Sequence, residues 1–353
     1  MVKLAVLAGD GVGPEVTAQA LLALEKLKAK YKLEYTVKEG LIGGSAVDAS
    51  GSPFPEETRE LVLNSNVVLL GAVGGPKWDK IAIEIRPERG LLALRKTLGL
   101  YANLRPVKCW EQLLTQSPFK NEIVAGVDVL IVRELIGGAY FGKRGTETVN
   151  GEVKAFDTIE YSSSEIRRIM KKAMELALQR RCKVTSVDKA NVLDTSRLWR
   201  KIAEEEAAAY PGITLNHMYV DNCAMQLCIN PAQFDVLVTE NMFGDILSDQ
   251  ASVLGASLGM LPSASIGDGP ALYEPSHGSA PDIAGQDKAN PIGAILSLAM
   301  MLRISLGKPE AAEAIEQAVG RVLNSGLRTA DIWSEGMQLV GTQAIGEAIR
   351  KQL

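Results

Sequence analysis

The sequence predicts an α/β fold, and three observations carry the prediction. Short apolar runs of strand length recur along the chain, segments of helical period follow them, and charged residues cluster just beyond the carboxyl ends of the runs. Ligands of open α/β sheets gather at that edge, so the pattern that predicts the fold also predicts where a site lies.

Residues 3–8 form an apolar run stopped by Gly9-Asp10-Gly11, and Pro14 suits the first turn of a helix with Val16, Ala20, Leu24 and Leu27 on one face. Residues 66–72 are a second buried-strand candidate, running into the glycine-rich stretch that ends at Gly75. A helix is expected over about 88–98, with Leu91, Leu92, Leu94 and Leu98 as its apolar residues. Four further runs repeat the pattern: 127–132 ends in Arg133-Glu134, 184–187 in Asp188-Lys189, 213–220 in Asp221, and 234–238 in Thr239-Glu240-Asn241. A helix carrying Asp245 and Asp249 follows the last. Residues 137–160 break the alternation. They are glycine-rich, with β-branched and aromatic residues but no helical period, and read as a hairpin arm reaching outward. Residues 311–323 are helical again, and no linker, low-complexity tract or internal repeat is present.

Bulk properties narrow the function classes. A chain of 353 residues accommodates one or two domains, and 46% hydrophobic with 23% charged residues is the balance of a globular protein. The net charge of -4 argues against a nucleic-acid platform. Cys109, Cys182, Cys223 and Cys228 form no C-x-x-C pair, which suits a reducing compartment. No apolar stretch approaches the ~20 residues of a membrane helix. The chain opens directly into a strand-like run without a cleavage motif, so a cytoplasmic location and no membrane partner are expected.

Gly9-Asp10-Gly11-Val12-Gly13-Pro14 follows a strand and precedes a helix, but its spacing is not the G-x-G-x-x-G of a Rossmann turn, and a tight strand-to-helix turn is the better reading. Asp245 and Asp249, four apart, share one helix face, where like charges destabilise unless something offsets them. Two readings stand at this point: a shared cation, or an acidic first turn favoured by the helix dipole. Asp221 at another strand end offers a third carboxylate, and oxygen ligands without His or Cys favour Mg²⁺ or Mn²⁺. Arg95, Arg105 and Arg133 are either surface arginines or guanidinium forks for a di-acid. Lys189 and Tyr140 are candidate proton-transfer groups. His217 reads as a strand residue without a role. From Glu274 to Asn290 runs a stretch of small and polar residues whose backbone can approach a phosphate or adenine closely, and Asp282 there suits a ribose diol, favouring NAD over NADP.

Taken together, GDGVGPEV, AVGGPKW, RPERGLLALRKTLGLYANLRP, VRELIGGAYFGKRG, DKANVLDTSRLWR, YVDNCAMQL, NMFGDILSD and EPSHGSAPDIAGQDKANP resemble the β-decarboxylating dehydrogenases of isocitrate/isopropylmalate type, over essentially the whole chain. The resemblance implies two α/β domains, not Rossmann: a discontinuous first domain, 1–99 and 252–353, and a second, 100–251, with the arm at about 137–160 clasping a partner in a homodimer. It implies that Arg95, Arg105 and Arg133 bind two substrate carboxylates and that Asp221, Asp245 and Asp249 hold Mg²⁺ or Mn²⁺. Lys189 and Asp221 would come from the partner, Lys189 taking the hydroxyl proton and Tyr140 assisting enol protonation. NAD contacts would fall on 75–88 and 278–290, with Gly75, Glu88, Glu274, His277, Gly278, Ser279, Ala280, Asp282, Ile283 and Asn290 as the expected residues.

Substrate choice in this family rests on the helix before Arg95. Where isocitrate dehydrogenases place a serine and an asparagine, this chain has Arg89 and Leu91, with Leu92 and Glu88 beside them. The apolar Leu91 and Leu92, with Val192 completing the pocket from the other subunit, would suit an isopropyl group, whose burial contributes roughly 1.5–3 kcal/mol. The implied reaction is oxidation and decarboxylation of (2R,3S)-3-isopropylmalate to 4-methyl-2-oxopentanoate in leucine biosynthesis. D-malate or tartrate oxidation is the alternative within the family. A non-catalytic regulatory or binding homologue is the alternative of another class, although every implied ligand and proton donor is present. Ile136, Ala139, Gln286 and Asp287 depart from the commonest pattern, and Asp287 would lie near the cofactor.

Overall fold

The computed structural model describes residues 1–353. The chain opens with β1 (Val2–Gly9), α1 (Gly13–Lys28), β2 (Tyr35–Glu39), α2 (Gly44–Ser50), α3 (Glu56–Leu63), β3 (Val67–Ala72) and α4 (Pro87–Thr97). It continues with β4 (Leu100–Lys108), α5 (Asn121–Val124), β5 (Asp128–Glu134), β6 (Arg144–Val149), β7 (Glu152–Asp157) and α6 (Ser163–Ala177). Then come β8 (Lys183–Asp188), α7 (Asp194–Ala207), β9 (Thr214–Tyr219), α8 (Val220–Ile229), β10 (Val236–Thr239) and α9 (Asn241–Ser252). It ends with β11 (Pro262–Gly267), β12 (Ala271–Pro275), α10 (Ile292–Ile304), α11 (Pro309–Asn324) and α12 (Thr342–Gln352).

The α/β class is as expected, and the chain folds into two compact units. The first comprises residues 1–100, 110–118 and 255–353. Its strands run β2-β1-β3-β12-β11, with β1, β2, β3 and β12 parallel and β11 antiparallel to β12. All six residues of β3 are buried, as parallel strands covered on both faces must be. Helix α10 is buried through Ile292–Leu302 and is the hydrophobic axis of this unit.

The second unit comprises residues 101–109 and 119–254. Its strands run β4-β5-β10-β8-β9, with β4 antiparallel to β5 and the rest parallel. Helix α6 begins with a capping box, Ser162 accepting from Glu165 N and Glu165 from Ser162 N, and buries Ile166, Ile169, Met170, Ala173 and Met174. The outward hairpin expected within 137–160 is present as β6 and β7, paired only with each other.

Two expectations need correction. The run 213–220 does not end as a strand at Asp221: β9 stops at Tyr219, and Asp221 stands in the first turn of α8, where the helix dipole favours a carboxylate. Glu274 and Pro275 are not loop residues. They complete the buried strand β12, which pairs with β11 on one side and β3 on the other. Cys109 and Cys223 are buried, Cys182 and Cys228 are half-buried, and all four are free. No helix is long and apolar enough to cross a membrane.

Candidate active site

The site is built first from β4 and β5. Antiparallel register sets Asn103 opposite Arg133, so Arg105, two residues along, lies diagonally on the same face. Arg133 is 5% exposed, and a guanidinium that deep needs partners on every side. Asn241 supplies one: its Oδ1 accepts from Arg133 Nε and NH2 at 3.0 and 2.8 Å, and its Nδ2 donates to Gly137 O at 3.1 Å. Arg133 also pairs with Asp245.

Helix α9 starts at Asn241 because Glu240 caps it, accepting from Phe243 N at 2.7 Å. Asp245 and Asp249 then project one turn apart. Arg105 NH1 donates to Asp249 Oδ1 and to Ser248 Oγ, both at 2.8 Å, and its NH2 lies 4.0 Å from Asp245 Oδ1. The like-charge repulsion anticipated for this pair is thus offset by two guanidinium groups. Tyr140, on the short turn Gly138–Tyr140, donates to Asp245 Oδ2 at 2.9 Å, and the Arg133 guanidinium lies 5.8 Å from its ring centre. Burial, then the bond to Asp245, pushes the phenol up, so it keeps its proton at neutral pH.

A second grouping stands at the ends of β8 and β9. Lys189 Nζ donates to Asp221 Oδ1 at 2.7 Å, and that bond holds the Asp221 carboxyl below the usual carboxylate range. The lysine backbone is fixed by Lys189 N donating to Ser196 Oγ at 3.0 Å. Its neighbour Asp188 is buried and held by both arms of Arg200 at 2.9 Å. Val192, three residues on from Lys189, is exposed.

Two carboxylates therefore stand together on α9, while Asp221 is engaged with Lys189. No three His, Cys, Asp or Glu side chains close on one point within the chain. The donors fit a hard divalent cation: all are carboxylate oxygens, and Asp245 and Asp249 keep 34% and 70% of their side-chain surface open.

In the first unit, Arg95 lies in the last turn of α4 and donates to Glu274 Oε1 at 3.0 Å. Glu274 is thus a buried partner of Arg95. Leu91 is half-buried and Leu92 exposed on the same helix. A Cβ at Gly74 would stand 2.8 Å from Glu88 Oε1, which puts Glu88 against the glycine stretch beside Gly75. Asp10 organises that stretch. It is 4% exposed and accepts from Gly44 N, Ser45 N and Gly74 N at 2.8, 2.7 and 2.8 Å. The turn after β1 is closed: Val12 N donates to Ser279 O at 2.8 Å, and a Cβ at Gly11 would lie 1.9 Å from that oxygen.

The loop after β12 presents Gly278 and Asp282 to solvent and half-buries His277, Ala280 and Ile283. His277 Nδ1 is 2.9 Å from Gly278 O, and its Nε2 is buried without a partner. Burial pushes the imidazole below its ordinary range, so it is neutral. Asn290 is buried and used internally, accepting from Ile292 N and donating to Asp331 Oδ2 at 3.0 Å each. Asp287 acts locally, accepting from Gln343 N at 2.8 Å at the start of α12. His217 on β9 faces Glu204 at 3.5 Å, as a strand residue among neighbours.

Sequence reasoning missed Asn241 and Asp10. Asn241 was legible in principle, lying just beyond a strand at the edge where Arg133 lies. Asp10 was not, because its partners are 34, 35 and 64 residues away.

The model for the family described as isocitrate/isopropylmalate dehydrogenase matches residues 3–349. A 3-isopropylmalate dehydrogenase from Moorella thermoacetica is 58% identical, covering 100% of this chain and 99% of that protein. One from Geobacillus kaustophilus is 59% identical over 99% of this chain and 94% of its own. Among solved structures, isocitrate dehydrogenase from Methylococcus capsulatus matches with a TM-score of 0.87 at 34% identity, covering 100% and 99% of the two chains. A β-decarboxylating dehydrogenase from Thermococcus kodakarensis matches at 0.82 and 36%, covering 100% and 96%. The matches run from end to end, and the chain belongs to the isocitrate/isopropylmalate dehydrogenase family.

Proposed function

We propose that this chain oxidises and decarboxylates (2R,3S)-3-isopropylmalate to 4-methyl-2-oxopentanoate and CO₂, the leucine-biosynthetic reaction, with NAD as oxidant. The observation that carries the reading is the convergence of Arg105, Arg133, Tyr140, Asp245 and Asp249 at one sheet edge, in a chain 56–59% identical to proteins named for that activity.

Arg95, Arg105 and Arg133 bind the two carboxylates of the substrate, which compete with the aspartate and glutamate partners these arginines have in the free chain. Lys189 Nζ, as the neutral amine once its own proton has been released to solvent, takes the hydroxyl proton, and Tyr140, held protonated, returns a proton to the enol carbon after CO₂ leaves. Asp221, Asp245 and Asp249 hold Mg²⁺ or Mn²⁺. When bound, NAD accepts the hydride and the cation supplies Lewis acidity. Leu91, Leu92 and Val192 offer apolar surface to the alkyl group, and the loop 278–290 with Gly75 and Glu88 receives NAD.

The working unit is a homodimer, with Lys189 and Asp221 of each chain serving the other. Its support is apolar surface left open on the second unit. Met225 and Ile229 lie one turn apart on α8, Ile246 and Val253 stand on α9 and just after it, and Phe156 lies on the unpartnered hairpin; each is at least 44% exposed. The four free cysteines suit a cytoplasmic location.

The test is an NADH-formation assay with 3-isopropylmalate, D-malate and isocitrate, with and without chelator. Metal-dependent turnover with the highest kcat/KM for 3-isopropylmalate is expected. A higher value for D-malate would overturn the substrate, and full turnover after exhaustive chelation would overturn the metal.

A further inference from the structure

Behind Tyr140 lies a group of buried acids that the proposed chemistry does not use. Glu134 is fully buried: its Oε2 accepts from Gly137 N at 2.8 Å and its Oε1 from Ile136 N at 3.2 Å. Glu240, 6% exposed, spends Oε1 on capping α9. The second oxygen of Glu240 and Oε2 of Glu134 both face one hydroxyl, that of Tyr161, at 3.4 and 3.2 Å. Tyr161 OH also accepts from Asn241 N at 3.0 Å. Gly138 closes the group. Its φ is +71°, and a Cβ there would lie 2.6 Å from the Tyr161 oxygen and 3.0 Å from Glu240 Oε2.

Proton counting decides the state of this group. Tyr161 has one hydroxyl proton and cannot donate to two carboxylates at once. If both acids were ionised, one carboxylate oxygen would face the phenol oxygen with no proton between them, a repulsive contact in a buried site. One extra proton removes the conflict: a neutral Glu240 donates to Tyr161, and Tyr161 donates to Glu134. The charged and titratable groups around them favour that order. Each acid accepts from two backbone N–H groups, Glu134 from Ile136 and Gly137 and Glu240 from Phe243 and Met242, and the nearby cation, Arg168 of α6 at 3.6 Å from Oε1, belongs to Glu134. Asp188, across a small cavity shared with Glu240 and Tyr161, is already neutralised by Arg200. Burial pushes the carboxyls of both Glu134 and Glu240 up, and the charge of Glu134 adds to the effect on Glu240.

We propose that Glu240 is a positioning residue that works as a neutral carboxylic acid, its proton completing a Glu240–Tyr161–Glu134 chain that ties the start of α9 to the turn bearing Tyr140. The chain reaches the chemistry at two points. Glu134 fixes Gly137 N, and Asn241, anchored through its N–H on Tyr161, fixes both Gly137 O and Arg133. Tyr140 and Arg133 therefore keep their geometry only while the buried chain is fully bonded.

The experiment is difference infrared spectroscopy of the whole protein, with ¹³C-glutamate labelling, which needs no substrate. An isotope-sensitive protonated-carboxyl band at neutral pH is expected, abolished by Glu240→Gln. Absence of the band in the parent, which needs no variant to fold, overturns the proposal; so does its persistence in Glu240→Gln. In turnover, Glu240→Ala should cost roughly 10–100-fold in kcat/KM, and Glu240→Gln should recover most of it. The ratio of Glu240→Gln to parent should rise with pH, as the parent loses the proton that glutamine imitates; a pH-independent ratio would count against it. This role presupposes the proposed reaction only for the kinetic arm, so failure of that reaction leaves the infrared result standing.

Discussion

At the carboxyl ends of β1 and β3 the side chains are small and the backbone carries the polarity; at those of β5, β8 and β10 the side chains carry it. In the first unit Gly9 and Gly13 sit where a Cβ would fall 2.0 Å from Ala72 O and 2.2 Å from Ala8 O, and one buried aspartate, Asp10, collects three backbone N–H groups. In the second unit the equivalent positions hold Arg133, Glu134, Asp188, Lys189 and Glu240, each with a charged or hydrogen-bonded partner. One edge is made by excluding atoms and the other by charge. The difference predicts how each breaks: removing a functional group from the second should stop turnover in a folded protein, while adding an atom to the first should destabilise the fold.

The largest effects are expected from Lys189→Ala and Asp245→Asn. Loss of a proton-transfer group costs roughly 10²–10⁴-fold in rate, and loss of a cation ligand at the same edge belongs in that range. Lys189 meets an exposed partner, so its loss should move the denaturation midpoint little, whereas Asp245→Asn removes the charge facing buried Arg133 and should lower the midpoint. Rates within the error of the parent would remove Lys189 and Asp245 from the chemistry.

Gly11→Ala is the counterpart. Its φ of +57° and a Cβ 1.9 Å from Ser279 O combine backbone strain with overpacking, about 2–4 kcal/mol together. Urea denaturation should show that loss, with NAD affinity falling because the loop from Ser279 onward is displaced. A variant as stable as the parent would show that this contact is not held in solution.

A finer contrast concerns specificity. Leu91 is half-buried and Leu92 exposed on α4, with no polar group of their own to satisfy. Leu91→Ala should lower kcat/KM for 3-isopropylmalate about 10-fold or more, within the range a missing apolar contact allows, and leave D-malate turnover nearly unchanged. Equal losses for both substrates would assign Leu91 to packing.

What the sequence made legible follows the same division. Parallel strands buried on both faces read as unbroken apolar runs, and β3 (VVLLGA) and the core of β5 (VLIV) are visible without a structure. The antiparallel β4 (LYANLRPVK) and β11 (PSASIG) carry Arg, Pro and Ser within the strand and escape any periodicity rule. Charged side chains at strand ends announce themselves by type and position, which is why Arg133 and Lys189 stand out as candidates in the sequence, with Asp245 one turn into the helix after β10. Asp10 and the Glu134–Tyr161–Glu240 chain were not. Their meaning lies in partners distant in sequence and in a shortage of protons that only the assembled geometry reveals.

The smallest expected effects again set the two units against each other, through pH. His277 in the first unit is pushed below its ordinary value of 6.5 by burial. The unfolded chain therefore takes up a proton that the folded chain refuses, and the stability held above pH 6.5 is lost as pH falls. Glu240 in the second unit is pushed above its ordinary value of 4.5, again by burial. Here the folded chain keeps a proton that the unfolded chain releases, so the stability held below pH 4.5 is lost as pH rises through the raised value. Between the two ordinary values the slopes of His277 and Glu240 oppose. Each neutral variant exposes the other's slope: His277→Gln should leave stability falling as pH rises across this window, and Glu240→Gln should leave it falling as pH drops. Urea midpoints at a series of pH values measure both. Parallel curves for the two variants would mean that His277 and Glu240 are open to water in the folded protein, and that burial does not set their charge.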